Sequence, residues 1–518
     1  MPENNQNPLN QTAIKTEIPL EPKVVPPQPE PVIPSSSLPT TPPIPDIPQT
    51  DIPPAESTSP AASSPATETE APLSLPENPK IKKIFPIFLL ILLILGAVFL
   101  VIKFILPRLN KSAEVSLTYW GLWEPEEVLK GVLLDWEKEH PQIKINFIRN
   151  SPTEYRERLQ SALARNEGPD IFRFHIAWTP MFKNELSAVP SSVMSASQFE
   201  AVYYPVISDN LRSGANYLGL PLMIDNLALF YNVDILQAAG KQPPTSWEEL
   251  RQLAVDLTVK DKSGKIQTAG IALGTASNVD HWSDILGLMM LQNGVDLSNP
   301  GDCHLVGGEE ICLGPDALTF YSLFTRTDQV WDESMPASTQ TFAGGKLAMY
   351  FAPSWRVFDL QALNPKLNFK ITSVPQLPGS NITWASFWVE GVAKKSQHQT
   401  EAWEFLKYLS SPEVLEKLYA SQSNLRSFGE IYPRVEMADK LIANPLTATF
   451  LNQAPQSQTW YLCSNTFDNG LNDLMIRYFA DAVNAVNKGQ SAKEALQTAG
   501  QGVSQLLSKY EITAPLAR

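Results

Sequence analysis

The stretch Gly219–Asp234, GLPLMIDNLALFYNVD, carries the strongest fold signal of this chain, and PPTSWEEL at 243–250 continues it. An apolar run with one acid near its middle, Asp225, predicts a strand. The residues after it predict a turn, a short helix and a second helix with a Ser/Thr-x-x-Glu start. A strand buried on both faces is an apolar run, so a carboxylate in it is costly unless another group pairs with it or a ligand uses it. The stretch therefore predicts an α/β fold and makes Asp225 a candidate functional residue.

The amino-acid composition and net charge limit the classes of function that this chain can have. The chain has 518 residues and a formal net charge of -14, which indicates a solvated acidic surface and argues against a nucleic-acid-binding protein. Three cysteines cannot form a disulfide framework in a chain of this length. Cys303 and Cys312 flank a short polar segment, and they either close a small loop as a disulfide or remain reduced, since spacing alone does not set their Cα separation.

Residues 1–83 form a proline-rich segment. They hold 21 of the 45 prolines and no glycine, cysteine or aromatic residue. Such a segment cannot bury enough apolar surface to offset the entropy of ordering its backbone, so we expect a disordered tail. The tail is either a plain spacer or a proline-rich ligand for a partner domain, and composition favours the spacer.

Residues 84–106 predict one transmembrane helix. No charged residue occurs from 84 to 102, and at about 1.5 Å per residue this run is roughly 30 Å long, the thickness of the hydrocarbon core. The run begins too late in the chain and is too long for a cleaved signal peptide. Lysines lie on both sides of it, so charge alone does not decide its orientation.

Residues 114–518 predict a globular part that holds all 12 tryptophans and is too large for one core, so we expect two lobes. Strands alternating with helices predict mostly parallel sheets with right-handed crossovers. The predicted strands are 115–120, 143–148, 270–274, 346–351, 369–375 and 388–393, and residues 168–174 predict a turn that leads into a further strand. The predicted helices are 125–140, 155–166, 247–258, 282–294, 316–324, 401–410, 412–420, 437–443, 470–488 and 492–509.

Five motifs in fixed order carry a resemblance to a known family: GPD at 168–170, the 219–250 block, TFAGGKLAMYFAPSW at 341–355, VPQLP at 374–378 and EAWEFLKYL at 401–409. With them the chain resembles bacterial extracellular solute-binding protein family 1, the maltose-binding-protein-like sugar-binding proteins of ABC transporters. The resemblance implies a two-lobed periplasmic-binding-protein-like fold with a hinge. It places 114–222 and 384–435 in the first lobe and 226–380 and 436–518 in the second.

Aromatic and acidic residues follow several predicted strands, where α/β lobes bind their ligands. A tryptophan ring packs on the C–H face of a sugar, and carboxylates accept hydrogen bonds from its hydroxyls. Amino acid ligands would call for paired charges, and ferric ions for clustered tyrosines and histidines. The predicted ligand-binding residues are Trp123, Glu124, His175, Trp178, Asp225, His281, Trp282, Trp355, Trp388 and Glu390.

Several of these residues have a second interpretation. Trp355 resembles the cleft tryptophan of maltose-binding proteins, and core packing is its alternative. Asp225 matches an acidic ligand contact of that family, or else it makes a hydrogen bond in the hinge. Trp178 stands where the family has a polar contact, and His175 is equally consistent with a core histidine. The helix-face residues Trp136, Trp247 and Trp403 are predicted to lie in the core.

The resemblance implies a membrane-anchored extracellular protein that binds a solute, which the aromatic and acidic residues predict to be a carbohydrate, and delivers it to the permease subunits of an ABC importer. The globular part would lie outside the cell and the tail in the cytoplasm. We expect no enzymatic activity, no cofactor and no metal, because the five histidines lack ligand spacing and no catalytic motif occurs. The alternatives are a tethered sensor or adhesin, or a glycoside-acting enzyme using Glu124, Asp225 and Glu390.

Overall fold

The computed structural model describes residues 114–512, together with Leu90, residues 93–96 and Lys103. The chain divides into two compact units, Met1–Ile91 and Leu92–Arg518, and residues 114–512 belong to the second. The predicted tail at 1–83 lies outside the described residues, as does most of the predicted span at 84–106. Within the part of the chain that is described, no helix has both the length and the apolar character needed to cross a membrane.

The strands within residues 114–512 are mostly short. In chain order they are β1 Val115–Gly121, β2 Ile143–Arg149, β3 Ile171–His175, β4 Arg212–Ser213, β5 Asn216–Tyr217, β6 Ala228–Asn232, β7 Val259–Lys260, β8 Ile266–Ile271, β9 His304–Val306, β10 Glu309–Ile311, β11 Leu347–Ala352, β12 Phe369–Thr372, β13 Thr383–Trp384, β14 Trp388–Val392 and β15 Ser457–Gln458.

Helices alternate with these strands and dominate the C-terminal part. They are α1 Glu126–Glu139, α2 Tyr155–Ala164, α3 Thr179–Phe182, α4 Ala196–Val202, α5 Pro205–Leu211, α6 Val233–Ala238, α7 Trp247–Leu257, α8 Trp282–Gln292, α9 Leu313–Arg326, α10 Ser338–Ala343, α11 Arg356–Leu363, α12 Gln399–Leu409, α13 Pro412–Ser423, α14 Ala448–Gln453, α15 Leu471–Asn487 and α16 Ala492–Lys509. Short 3-10 helices cover Ile176–Trp178, Val435–Lys440 and Ala454–Gln456.

Two separate sheets give the chain two α/β lobes. The first sheet has the order β14-β3-β1-β2, and the second has the order β12-β6-β11-β8-β7. The prediction of mostly parallel sheets is right for the first sheet, in which β1 is parallel to both β2 and β3. It is wrong for the second, where only β11 and β8 are parallel and β6 is antiparallel to β11 and β12. The reason is that β6 begins just after the chain has crossed from the first lobe, so β6 runs away from the segments that join the two lobes.

The stretch 219–234 is only partly a strand. Strand β6 covers 228–232, so the prediction that Asp225 lies within a strand is wrong. Leu220 and Asn226 instead pair with Glu390 and Ala385 through isolated bridges. The helices that follow are as predicted, and α7 begins with the expected capping box, in which Ser246 and Glu249 each bind the other's backbone N–H.

Two other predictions need correction. The strand predicted at 270–274 lies at 266–271, because its polar first half pairs with β7 in a hairpin and hides the apolar pattern. The helix predicted at 437–443 is a 3-10 helix at 435–440. Trp136, Trp247 and Trp403 lie in the core as predicted.

Three segments lie side by side where the two lobes join. Asn226 donates its side-chain N–H to the Phe450 carbonyl over 3.0 Å, and Gln453 donates to the Leu227 carbonyl over 3.0 Å. The hydroxyl of Thr383 donates to the Gln453 carbonyl over 2.8 Å. Because these polar groups are buried, their hydrogen bonds make separation of the segments costly.

The two alternatives for the cysteines are resolved by the fold. Cys303 and Cys312 form a disulfide across the β9–β10 hairpin, with a Cα separation of 4.2 Å. Cys463 is a free thiol in the core. The C-terminal helices α15 and α16 pack on each other and on α9, and α15 also contacts the 3-10 helix Ile176–Trp178 of the first lobe.

Gly270 provides a test of the packing of α7 against the second sheet. A Cβ atom there would lie 2.0 Å from the Ala254 carbonyl oxygen, which belongs to helix backbone and cannot turn away. We expect Gly270→Ala to lower the free energy of unfolding by about 2 kcal/mol or more. The measurement is urea unfolding followed by tryptophan fluorescence.

Gly131→Ala is the matched control, because nothing lies within 4 Å of its Cβ position in the exposed face of α1. It should raise the free energy of unfolding by roughly 0.5–1 kcal/mol. Equal effects of the two substitutions would contradict the close approach at Gly270.

Candidate functional site

Three of the predicted tryptophans form one cluster in the first lobe, here called the tryptophan cluster: Trp123, Trp178 and Trp388. The ring centroids of Trp123 and Trp388 are 5.3 Å apart and those of Trp178 and Trp388 are 5.1 Å apart, both in edge-to-face geometry. Trp123 and Trp388 are half-buried, whereas Trp178 is only 1% exposed. The first two therefore keep surface that a ligand can contact, whereas Trp178 is buried against Trp388.

His175 holds the cluster in position. Its ring centroid is 5.0 Å from that of Trp388, its Nδ1 accepts the Ala177 N–H, and its Nε2 lies 3.1 Å from the Ser386 hydroxyl. Since Nδ1 is an acceptor, Nε2 carries the proton and donates it to Ser386. Burial lowers the pKa of His175 to about 3, so the ring is neutral.

The carboxylates of Glu124 and Glu390 share one cation, Arg173. Its Nε donates to Glu390 Oε1 over 2.7 Å, and its Nη1 donates to Glu124 Oε1. Tyr119 also donates its hydroxyl to Glu390 Oε1, over 2.7 Å. Burial raises the pKa of Glu390, and although burial opposes the charge of Arg173, the two carboxylates hold the pKa of Arg173 above its usual value.

Arg173 is the residue of the candidate site that the sequence prediction missed. It stands in the middle of β3 directly opposite Glu390 in β14, and its guanidinium lies 5.0 Å from the ring centroid of Trp123. A cation in one apolar strand and an acid in another are the signal that could have identified the pair. Through Arg173 the predicted acids are joined to the tryptophan cluster.

The second lobe contributes a separate aromatic group around Trp355. This half-buried ring follows β11, with the Arg356 guanidinium 4.2 Å from its centroid and the His281 ring 5.8 Å away in edge-to-face geometry. Arg356 donates its Nε–H to His281 Nε2 over 3.0 Å, so His281 carries its proton on Nδ1, 2.8 Å from the Ser464 hydroxyl. Burial lowers the pKa of His281. The two residues fix the orientation of Trp355.

Trp282 lies beside this group at the start of α8, but it is packed into the core and is 7% exposed. In the first turn of the same helix, Asp284 accepts the indole N–H of Trp384 over 2.8 Å and the backbone N–H of Ser464. These buried contacts tie α8 to the connection between the lobes.

Asp225 links the two aromatic groups. Its carboxylate accepts the backbone N–H of Ser354 over 3.1 Å and the Ser354 hydroxyl over 2.9 Å, and its backbone carbonyl accepts the N–H of Ser386 over 3.0 Å. Ser354 precedes Trp355, and Ser386 binds His175. These hydrogen bonds are of the kind that the hinge interpretation expects, and both interpretations of Asp225 stay open; burial raises the pKa of this carboxyl to about 7.

The structure thus brings the predicted residues together as two groups with Asp225 between them. Trp123, Trp355 and Trp388 are half-buried, and the other seven are between 1% and 7% exposed. Within the described residues, the one set of His, Cys, Asp and Glu side chains close enough to surround a metal ion is Cys303, Glu310 and Cys312. Two of these are joined in the disulfide.

Two lobes of α/β structure joined by several chain segments, with aromatic groups on either side, define a two-lobed binding protein. Residues 134–448 match the family described as bacterial extracellular solute-binding protein. The chain belongs to this family, as the five sequence motifs predict.

Similar proteins agree with this assignment. A putative binding protein of Brucella abortus is 23% identical over 295 residues, which are 55% of this chain and 67% of the relative. The sugar-binding protein MalE from Xanthomonas citri matches with a TM-score of 0.62 and 21% identity, over 77% of this chain and 98% of that one. A solute-binding protein from Thermotoga lettingae, bound with alpha-D-tagatose, matches with a TM-score of 0.57 and 20% identity, over 76% and 100%. At these identities the likeness establishes the two-domain fold.

Asp225 predicts a pH dependence of stability. Its pKa is about 7 in the folded chain and about 3.9 in an unfolded one, so folding takes up a proton between these values. Its contribution to the free energy of unfolding is therefore fully present below about pH 4 and is lost as the pH rises through about 7. We expect the stability of the native protein relative to Asp225→Asn to decrease from pH 5 to pH 7.5 in urea unfolding.

Asp481→Asn removes an exposed carboxylate from α15 and serves as the control. Its stability relative to the native protein should change little over the same range. A native-to-Asp225→Asn difference that stays constant or grows with pH would contradict a raised pKa of Asp225 in the fold.

Proposed function

We propose that this protein is a membrane-anchored extracellular carbohydrate-binding protein that delivers its ligand to an ABC importer. The observation that carries the proposal is the pair of aromatic groups, one in each lobe, connected through Asp225. Comparison structures with the same fold are described as bound with alpha-D-tagatose, complexed with maltotetraose, and with mannotriose bound. Those sugars carry hydroxyl groups around the edge of each ring and apolar C–H groups on its faces. The C–H faces can pack on half-buried tryptophan rings.

In this proposal Trp123, Trp355 and Trp388 contact the ligand, and the buried residues position them. Arg356 and His281 would hold the ring of Trp355, while His175 and Trp178 would hold that of Trp388. A ring that is fixed before binding loses little conformational freedom when the ligand arrives, which favours affinity. No bond of the ligand is made or broken.

The lobes are proposed to be 114–222 with 384–435, and 226–380 with 436–518. Ligand between them would favour closure about the connection, because each lobe supplies one aromatic group. The closed form is the one that permease subunits would recognise. Small-angle scattering of the full-length protein should therefore give a smaller radius of gyration with a bound sugar, and an unchanged radius for every sugar that binds would contradict closure.

Residues 84–106 are proposed as the anchor, with the globular part outside the cell and residues 1–83 in the cytoplasm. Alkaline carbonate washing should leave the protein in the membrane fraction. Protease added to intact cells should digest the globular part and spare an epitope placed at the N-terminus. Release by carbonate, or digestion of the epitope in intact cells, would contradict the anchor or its orientation.

Trp355 is the residue whose replacement tests the site most directly. Trp355→Ala should weaken binding of a maltodextrin or a tagatose-type sugar by about 1–3 kcal/mol, because a stacking platform is lost. The measurement is calorimetric titration of the full-length protein after a screen of sugars, amino acids and metals by thermal shift.

Leu305→Ala is the matched control, since Leu305 is 79% exposed on the disulfide-linked hairpin of the same lobe. Its affinity for the sugar should equal that of the native protein. Stabilisation by amino acids but by no sugar would refute the carbohydrate proposal, and release of product from a glycoside would support an enzyme instead.

A further inference from the structure

Asp280 belongs to the aromatic group of the second lobe, although it is not one of the ten predicted ligand-binding residues. It directly precedes His281, whose ring lies edge-to-face with that of Trp355 at 5.8 Å between centroids. The side chain of Asp280 is half-buried, as is the ring of Trp355. A carboxylate at this place can therefore contribute to binding beside the ring.

The two carboxylate oxygens of Asp280 have different surroundings. Oδ2 accepts the backbone N–H of Thr339 over 2.7 Å, the Thr339 hydroxyl over 2.6 Å and the Ser338 hydroxyl over 2.9 Å. Oδ1 has no hydrogen-bond partner among the described residues, and it does not belong to their fully buried unpaired polar atoms. The carboxylate is therefore fixed through one oxygen and offers the other as an acceptor.

Asp280 carries its negative charge at neutral pH. Burial opposes the charge, but the hydrogen bonds from Thr339 and Ser338, together with the positive charge of Arg356, hold the pKa of Asp280 below its ordinary value. A hydrogen bond to a charged acceptor is stronger than one to a neutral acceptor. Oδ1 is therefore a strong acceptor in the Trp355 group.

Arg356 offers a donor in the same group. Its Nε donates to His281 over 3.0 Å, its Nη1 donates to Asp359 over 2.8 Å, and its guanidinium lies over the Trp355 ring. Within residues 114–512 its Nη2 has no hydrogen-bond partner and is not fully buried, and Arg356 forms no ion pair with Asp280. An open acceptor and an open donor thus lie near one aromatic ring without satisfying each other.

Hydroxyl groups fit this pair better than the charged ends of an amino acid do. A ligand carboxylate prefers two parallel N–H groups of an arginine, and Nη2 is the one nitrogen that Arg356 has left. A ligand ammonium brings three N–H groups, and Asp280 leaves one oxygen for them. A hydroxyl donates one hydrogen bond and accepts others, so single open atoms of each kind suit the hydroxyl edge of a sugar ring.

We propose that Asp280 Oδ1 accepts, and Arg356 Nη2 donates, hydrogen bonds to hydroxyl groups of the sugar unit that packs on Trp355. Asp280 is then a specificity-determining residue, because a sugar that lacks the bound hydroxyl leaves the charged oxygen without a donor. The inference rests on the proposed carbohydrate function and adds the hydroxyl contacts of that ligand.

The first test is calorimetric titration of the full-length protein with D-tagatose, maltotetraose and mannotriose. The sugar with the highest affinity for the native protein is then titrated into Asp280→Asn, which keeps the size of the side chain and removes its charge. We expect binding to weaken by about tenfold or more. Asp316→Asn is the matched control, since it removes an exposed carboxylate from α9 of the same lobe, and its affinity should equal that of the native protein.

Monodeoxy derivatives of the same sugar separate direct contact from a structural role. One derivative should bind the native protein about tenfold more weakly than the parent sugar, but should bind Asp280→Asn nearly as well as the parent does, because the contact is already lost. Arg356→Lys keeps the positive charge and removes Nη2. It should show the same loss of discrimination for one derivative, which keeps the test decisive if Asp280→Asn does not fold.

The outcomes distinguish this inference from the function on which it rests. Sugar binding that both variants leave unchanged, or variants that weaken the parent sugar and every derivative equally, overturns the hydroxyl contacts alone. Absence of binding by every sugar refutes the carbohydrate proposal and this inference with it. Binding of glycine or L-leucine that Asp280→Asn abolishes assigns the pair to an amino acid and overturns the hydroxyl assignment.

Discussion

The buried carboxylate of Asp225 is the constraint on which the arrangement of the two lobes depends. It binds the backbone and hydroxyl of Ser354, while its own carbonyl binds the backbone of Ser386. Ser354 positions the start of the segment that holds Trp355, and Ser386, which binds His175, lies just before the start of β14 at Trp388. One residue between the lobes thus helps to position the aromatic group of each lobe. A change in its hydrogen bonds would therefore alter the position of both groups.

Strand direction follows from the same connection. Strands β1, β3 and β11 all end toward it, and the residues directly after them supply Trp123, the 3-10 helix at 176–178 and Trp355. Strands β6 and β14 start at the connection and therefore run against their neighbours in the sheet. The antiparallel pairs are a consequence of a chain that crosses between lobes more than once, and they leave the carboxyl ends of the other strands at the site.

Amphipathic pattern and capping signals predicted most of the regular elements, including the helix at 492–509 and the capped start of α7. The spacing of apolar residues did not predict the backbone conformation where tertiary contacts determine it. Examples are the 3-10 helix at 435–440 and the irregular segment that holds Asp225. For the site, residue type selected candidate residues but not their hydrogen-bond and ion-pair partners. The link from Arg173 to two acids joins residues that are 49 and 217 positions apart, and no local pattern reports such a contact.

The buried charges also explain why the exposed part of the candidate site is aromatic. Arg173 neutralises one of its two carboxylates while its guanidinium lies against the ring of Trp123. Its charge is therefore directed into the lobe, and the surface that remains at the cluster is that of Trp123 and Trp388. In the second lobe Arg356 does the same by binding His281 and Asp359 while covering Trp355. A site whose arginines are bound by buried partners and lie against aromatic rings is suited to an uncharged ligand with apolar faces.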